Sequence, residues 1–296
     1  LVRFQIGLDD WQEMTRLYNP LTAPDAPDAD DHAPNSGGLL GEKDPAPVAV
    51  HGGADARSPF LLVSDHAGQA IPGDLADLGV TEADRRRHIG WDIGIDGVGR
   101  KLARILGSFL IEQVYSRLVI DCNRAPGHPT AIVSISDGTE VPANIGLSTA
   151  DASLRTAEIF DPYHARIGEE LDRRSAMGLE TFLIALHSFT PKMGGVERPW
   201  QAGVLHNHDP RFGRIVLDAL RADGLTVGDN EPYVLTDTSD YTVPMHGEKR
   251  GVPHIELEIR QDLIESEAGQ GEWAERLARI LPAARARYRA LYGAHA

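Results

Sequence analysis

"PFLLVSDHAGQAIP", residues 59–72, opens as a strand and closes as a site. Phe60 to Val63 form a short unbroken apolar run, the pattern of a strand buried on both faces. The run stops on Ser64, Asp65 and His66, and Gly68 and Pro72 bar a simple continuation. Open α/β sheets present ligands and catalysts at the carboxyl ends of their strands, so a buried strand closing on a histidine predicts that architecture.

The flanking chain alternates in the same way. Thr81-Glu82 carries a helix-capping signature, and "IDGVGRKLARIL" (95–106) has helical apolar spacing. "SFLIEQVY" (108–115) and "SRLVIDCN" (116–123) read as strands, followed by a Gly- and Pro-rich loop from Ala125 to Gly146. A long helix is predicted over Asp151–Met177, interrupted near Pro162 and ended by Gly178. "TFLIALHSF" (181–189), "AGVLHN" (202–207) and "PHIELEIR" (253–260) follow as strands. Helices are expected over "DPRFGRIVLDALRAD" (209–223), capped by Asp209 with Pro210 first, and from about Gly271 to Tyr292. Strands separated by helices of crossover length imply an α/β fold whose mixed or mostly parallel sheet is covered on both faces.

Residues 1–57 differ from the rest. The stretch "APDAPDADDHAPNSGG" (23–38) has too little apolar surface to offset ordering entropy, so 1–57 read as a leader, partly extended over the body, with a short helix around "DDWQEMTRLY" (9–18). Residues 58–296 read as one catalytic domain.

Twenty-nine basic residues against 44 acidic give a formal charge of −15, which disfavours nucleic acid and anionic membrane surfaces as partners but not a small anion held by pocket arginines. Cys122 is the only cysteine, which precludes an intrachain disulfide and a thiolate metal cluster and fits a reducing cytoplasm. No stretch approaches the roughly 18 apolar residues of a membrane span, and the start lacks a signal-peptide pattern. A cytoplasmic protein is the expectation; the oligomeric state is left open.

Four apolar runs end in residues capable of chemistry: His66; Asp121, Asn123 and Arg124 in "LVIDCNR"; His187 in "IALHSFTP"; and Glu256, Glu258, Arg260 and Asp262 in "HIELEIRQDL". Delivered to one sheet edge, they would converge. Two histidines with carboxylates suit an imidazole and oxygen site for Zn²⁺, which in catalytic sites keeps three protein ligands and one open position. His66 and His187 lead as ligands, with Asp92 in "HIGWDIG" as the third and Asp65 as its alternative. Ile255, Leu257 and Ile259 alternate with Glu256, Glu258 and Arg260, which suits either a solvent-facing edge strand or a row of site carboxylates. In the second case Glu258 would take a proton from water and pass it to a leaving amine. Arg124 has the fork to hold a substrate carboxylate beside Asn123, and Arg117 would serve as a second clamp or steady an oxyanion. His246, Tyr115, Trp200 and "VGDNEPY" (227–233) are further pocket residues, equally readable as packing and turn formation.

Taken in order, "SDHAGQAIP", "WDIG", "YSRLVIDCNR", "ALHSFTP" and "ELEIRQDL" resemble the signature blocks of the N-formylglutamate amidohydrolase family, over roughly residues 58–292. The resemblance implies a three-layer α/β/α fold like that of zinc carboxypeptidases and aspartoacylases, a single zinc, and hydrolysis of the linear amide of an acidic N-acyl amino acid. It places the substrate-carboxylate pair on Asn123 and Arg124 and the catalytic glutamate on Glu258. The chain departs from the carboxypeptidase pattern at Gln69, where a glutamate ligand would follow the histidine by three residues. The carboxylate must then come from elsewhere. A peptidase of small peptides or peptidoglycan fragments and a silent metal or amino-acid binding module are the alternatives.

Overall fold

Alternation along each apolar run sends successive side chains to opposite faces of one sheet. Leu62, Leu110, Ile184 and Leu186 join one buried cluster, while Leu61, Val63, Ile111, Leu183 and Ala185 join another. The computed structural model describes residues 38–53 and 56–293. The helix expected at residues 9–18 lies outside them. The described residues from Leu39 onward form one compact unit.

The sheet has seven strands: β1 (Val48–His51), β2 (Phe60–Ser64), β3 (Phe109–Gln113), β4 (Phe182–Phe189), β5 (Ala202–Leu205), β6 (Val227–Asp229) and β7 (His254–Arg260). Their order is β1-β3-β2-β4-β7-β5-β6. The central four, β3, β2, β4 and β7, run parallel; β1 is antiparallel to β3, and β5 and β6 oppose β7. Helices α1 (Ile95–Leu106), α3 (Arg211–Ala222) and α4 (Glu267–Tyr292) pack on one face through stripes such as Ile95, Val98 and Leu102, and α2 (Asp161–Ala176) covers the other through Tyr163, Ile167 and Leu171. The result is a mixed, mostly parallel sheet between helical layers. Among the described residues no helix is long and apolar enough to cross a membrane.

Three local expectations change. The run "SRLVIDCN" is no strand: Val119 N–H bonds back to Ser116, Arg124 N–H to Asp121, and the apolar residues are buried in a turning loop under α2. Periodicity alone cannot separate a buried loop from a buried strand. Second, β1 comes from the stretch assigned to the leader, paired along Val48–His51 with Gln113–Leu110, so the body begins near Leu39 rather than at residue 58. Third, α3 starts at Arg211 with Pro210 as its cap, and Asp209 instead accepts the Arg211 N–H at 3.1 Å. The long helix divides as expected near Pro162, into a helix Thr149–Arg155, a wide π turn over Thr156–Phe160, and α2.

Strand β7 lies inside the sheet, between β4 and β5. Glu256 and Glu258 are therefore buried rather than facing solvent, 3% and 4% exposed.

Candidate active site

The parallel strands β2 and β4 deliver His66 and His187 side by side. β2 ends two residues before His66, and the loop behind it passes so close to β3 that a Cβ on Gly68 would lie 1.9 Å from the Val114 carbonyl oxygen. Glycine is needed there for close approach. Asp92 enters from the segment ahead of α1, its N–H bonded to the His66 carbonyl at 2.9 Å. It does not cap that helix; Gly94 stands at the cap position.

Three atoms meet. His66 Nδ1 and His187 Nδ1 are 3.2 Å apart, and Asp92 Oδ2 lies 3.5 Å from the first and 3.1 Å from the second. Tetrahedral bonds of ~2.0–2.1 Å to a zinc ion would set its ligand atoms roughly 3.3 Å apart. The opposite nitrogens fix the tautomers: His66 Nε2 donates to Asp121 Oδ1 at 2.7 Å and His187 Nε2 to Asp65 Oδ2 at 3.1 Å. Both Nδ1 lone pairs then face Asp92 Oδ2, a donor set that suits a divalent cation. Asp65 thus stands behind His187 rather than among the three converging atoms.

The backing carboxylates are themselves held. Asp65 Oδ1 accepts the Thr242 hydroxyl at 2.6 Å, and Asp121 Oδ1 accepts Asn123 N–H at 2.8 Å. Arg117 donates to Asp92 Oδ1 at 3.2 Å and to Asp121 Oδ2 at 2.9 Å. Each terminal nitrogen gives one of its two hydrogens to these acids, so Arg117 ties Asp92 to Asp121 and positions the cluster. Burial works against ionisation of every one of these carboxyls, yet the histidines and Arg117 prevail: Asp65 falls to about 2, and Asp92 and Asp121 are held below the usual carboxylate range. For His66, burial and the Arg117 charge oppose protonation, but Asp121 and Asp92 outweigh them and the pKa rises. His187 likewise overcomes burial through Glu256, Asp65 and Asp92.

Glu258 sits opposite His187 in the β7–β4 register. Its Oε2 is buried without a hydrogen-bond partner among the described residues. Burial raises its pKa from 4.5 to about 7, against the pull of His187 and with the push of Asp92. A carboxyl poised near neutrality beside a cation site is suited to moving protons.

Asn123 and Arg124 leave the same loop as Asp121. Asn123 Oδ1 accepts the N–H groups of Tyr241 and Thr242, both at 3.0 Å, and its Nδ2 donates to Asp240 Oδ1 at 3.1 Å and weakly to Glu256 at 3.4 Å. Arg124 Nη1 reaches the Asn123 carbonyl at 2.9 Å and Asp240 Oδ1 at 3.5 Å. The rest of the Arg124 fork has no acceptor among the described residues. Burial and the Asp240 charge push Glu256 well above the normal range. His246 Nε2 pairs with His164 Nδ1 at 3.0 Å, the rings stack, burial with His164 lowers its pKa to about 3 against the pull of Asp65, and its Nδ1 is buried without a hydrogen-bond partner among the described residues. Its ring thus packs on α2 through His164. Tyr115 also packs, bonding the Pro45 carbonyl. Tyr233, in the "VGDNEPY" segment, does feel Glu258, whose charge adds to burial in raising its hydroxyl pKa.

Sequence reasoning assigned no role to Asp240, Thr242 or the pairing of Asp65 and Asp121 with the imidazoles. A polar loop reading "TDTSDYT" (236–242) carries no signal for these contacts.

Residues 58–265 match the family model of N-formylglutamate amidohydrolase. The crystal structure of a gene product from Agrobacterium tumefaciens is similar at 33% identity and a TM-score of 0.81, over 84% of this chain and 98% of that one. The N-formylglutamate amidohydrolase of Ralstonia eutropha is similar in fold, with a TM-score of 0.65 at 22% identity over 83% of this chain and 99% of that one. No curated protein matches the chain.

Proposed function

Because the chain belongs to the N-formylglutamate amidohydrolase family, we propose that it is a zinc-dependent hydrolase of the linear amide in a small anionic N-acyl amino acid, N-formyl-L-glutamate first. The observation that carries this reading is the convergence of His66 Nδ1, His187 Nδ1 and Asp92 Oδ2 on one point, with the buried, unpaired Glu258 Oε2 in the adjoining strand position.

His66, His187 and Asp92 would hold the zinc. When bound, it supplies a Lewis acid that polarises the amide carbonyl and eases deprotonation of water. Asp121 and Asp65 keep each imidazole in the tautomer that ligation needs, and Arg117 ties Asp121 to Asp92. Glu258 accepts the proton of the attacking water at Oε2 and returns it to the leaving nitrogen, so that N-formylglutamate and water give formate and glutamate. Arg124 binds the substrate carboxylate with Nη2 and Nε, the part of its fork that no group among the described residues occupies, while Nη1 stays on the Asn123 carbonyl and Asp240. A net charge of −15 fits a small anion drawn in by local arginines better than nucleic acid or an anionic membrane, and the single buried Cys122 suits the cytoplasm.

The test is turnover by zinc-loaded protein of N-formyl-L-glutamate, N-acetyl-L-glutamate and short peptides, with released amine measured. Deformylation well above the other substrates is expected. Cleavage of peptides alone would make it a peptidase, and bound zinc without any hydrolysis would make it a binding module.

A further inference from the structure

Strand β7 carries Glu258 near its far end and begins at His254, four residues earlier, about 13 Å away at ~3.3 Å per residue. A second set of donors gathers at that near end. His208, Glu248 and His254 line a cavity of about 400 Å³ together with Asp209 and Arg211.

His254 is the informative member. Its side chain is 1% exposed, and its Nδ1 lies 2.7 Å from the Val252 carbonyl oxygen. A carbonyl only accepts, so Nδ1 carries a hydrogen. That Nε2 is buried, has no hydrogen-bond partner among the described residues, and faces Glu248 Oε1 at 3.7 Å, beyond hydrogen-bond range. The ring is pinned by Gly247, where a Cβ would lie 2.6 Å from His254 Cγ. A rigidly held, buried imidazole nitrogen without a hydrogen bond calls for a partner.

Carboxylates stand ready to complete the set. Ligand atoms of His208, Asp237 and Glu248 lie within 4.8 Å of one another. His208 Nε2 bonds Asp237 at 2.9 Å, and Glu248 Oε1 accepts His208 N–H at 2.6 Å. Neither Asp237 nor Glu248 pairs with a lysine or arginine among the described residues, whereas neighbouring Asp209 is neutralised twice over by Arg211 at 2.8 and 2.7 Å. Asn207 Nδ2 donates to Asp237 Oδ1 at 2.7 Å and to Glu248 Oε2 at 3.3 Å, so one amide gathers the two carboxylates, whose ionic partners among the described residues are imidazoles.

We propose that His208, Asp237 and Glu248, with His254 Nε2 beside Glu248, form a second divalent-cation site, of the borderline class that takes mixed nitrogen and oxygen ligands, zinc foremost. It would tie the segment after β5 to the loop bearing Asp237, three residues before the Asp240 that meets Arg124. The site stands independently of the amide chemistry above.

The experiment is a zinc titration of chelator-stripped, tag-free full-length protein, read as metal per chain, with anomalous diffraction at the zinc edge locating each ion. Two equivalents are expected in the wild type. Glu248→Gln should keep the tighter one and weaken the other at least about tenfold, since even groups that merely orient ligands are worth 10–100-fold. His208→Ala and Asp237→Asn alter exposed residues and should do the same without a cost in folding. A single equivalent in the wild type, a second ion lodged elsewhere, or unchanged second-site affinity in all three variants would overturn the proposal.

Discussion

The two histidine and carboxylate clusters differ chiefly in what stands behind them. At the His66 and His187 cluster, each imidazole is backed by a buried carboxylate, and those carboxylates are held in turn by Arg117, Thr242 and a backbone N–H. At the His254 cluster His254 is fixed through Val252 and Glu248 through the His208 N–H, while the His208 side chain is 68% exposed and held by an Asp237 that is itself largely exposed. The first cluster meets a cation with its ligands already in place. The second must exchange the His208–Asp237 hydrogen bond for the ion and order exposed side chains, at an entropic cost of up to about 2 kcal/mol for each long one. Preorganisation thus separates a centre built for chemistry from one built for reversible binding.

The hardest way to break that contrast is to remove a donor from the first cluster. His66→Ala and His187→Ala should each lose zinc at the tight site and all measurable turnover, since one of only three protein ligands is gone and Asp121 or Asp65 loses its partner. Metal content and circular dichroism on the purified variants check this. Full occupancy of the tight site in a folded variant would remove that histidine from the centre. Next in size is Glu258→Gln, which keeps shape but cannot accept a proton: kcat should fall roughly 10²-fold or more with zinc retained. Near-normal kcat would leave the proton with another group.

How far such contrasts were legible in the sequence depends on the kind of contact. Strand ends at His66 and His187 showed in the apolar runs that precede them, because a buried strand writes itself as consecutive apolar residues. The burial of Glu256 and Glu258 did not: alternation reads alike on an edge strand and on an inner one, and only the order β4-β7-β5 decides it. The turning loop at 116–123 was mistaken for a strand for a related reason, since its apolar residues are buried by tertiary contact with α2 rather than by pairing. Asp121 backing His66 across 55 positions, and Thr242 reaching Asp65 across 177, are long-range polar contacts with no local pattern. The burial of His254 Nε2 against Glu248 escaped for the same reason: it is a property of the packed fold.

A gentler perturbation sharpens the contrast by loosening the first cluster toward the second. Asp121→Asn and Asp65→Asn leave all three converging atoms but weaken the hold on tautomer and ring orientation, so zinc affinity at the tight site should drop about 10–100-fold. Asp92→Asn replaces the ligating carboxylate by a neutral amide, a poor ligand for zinc, and should cost more than either. Competition with a chelator of known affinity ranks the three. Asp65→Asn falling furthest would move Asp65 from behind His187 into the ligand set.

The smallest expected effect compares one carboxyl from each cluster in chelator-treated protein. Burial raises Glu258 from 4.5 to about 7, so between those values the folded state keeps a proton that the unfolded chain has lost, and its contribution to stability falls as pH rises. Glu248 has the opposite sign. Burial pushes it up, but His254 and the backbone donors of His208 and Asp209 bring it below 4.5. Its contribution is present above the unfolded value and is lost as pH falls through the folded one. Subtracting each Gln variant from the wild type isolates these terms from the histidines that titrate alongside. The wild-type Tm relative to Glu258→Gln should decline between pH 5 and 7, roughly the window set by those pKa values. Relative to Glu248→Gln it should decline as pH is lowered below about 4.5, the ordinary carboxyl value, and stay level above it. Thermal melts at a series of pH values measure both differences. Parallel curves would mean that the two carboxyls share one environment, and the distinction between a desolvated proton carrier and a paired, cation-ready ligand would fail at its electrostatic root.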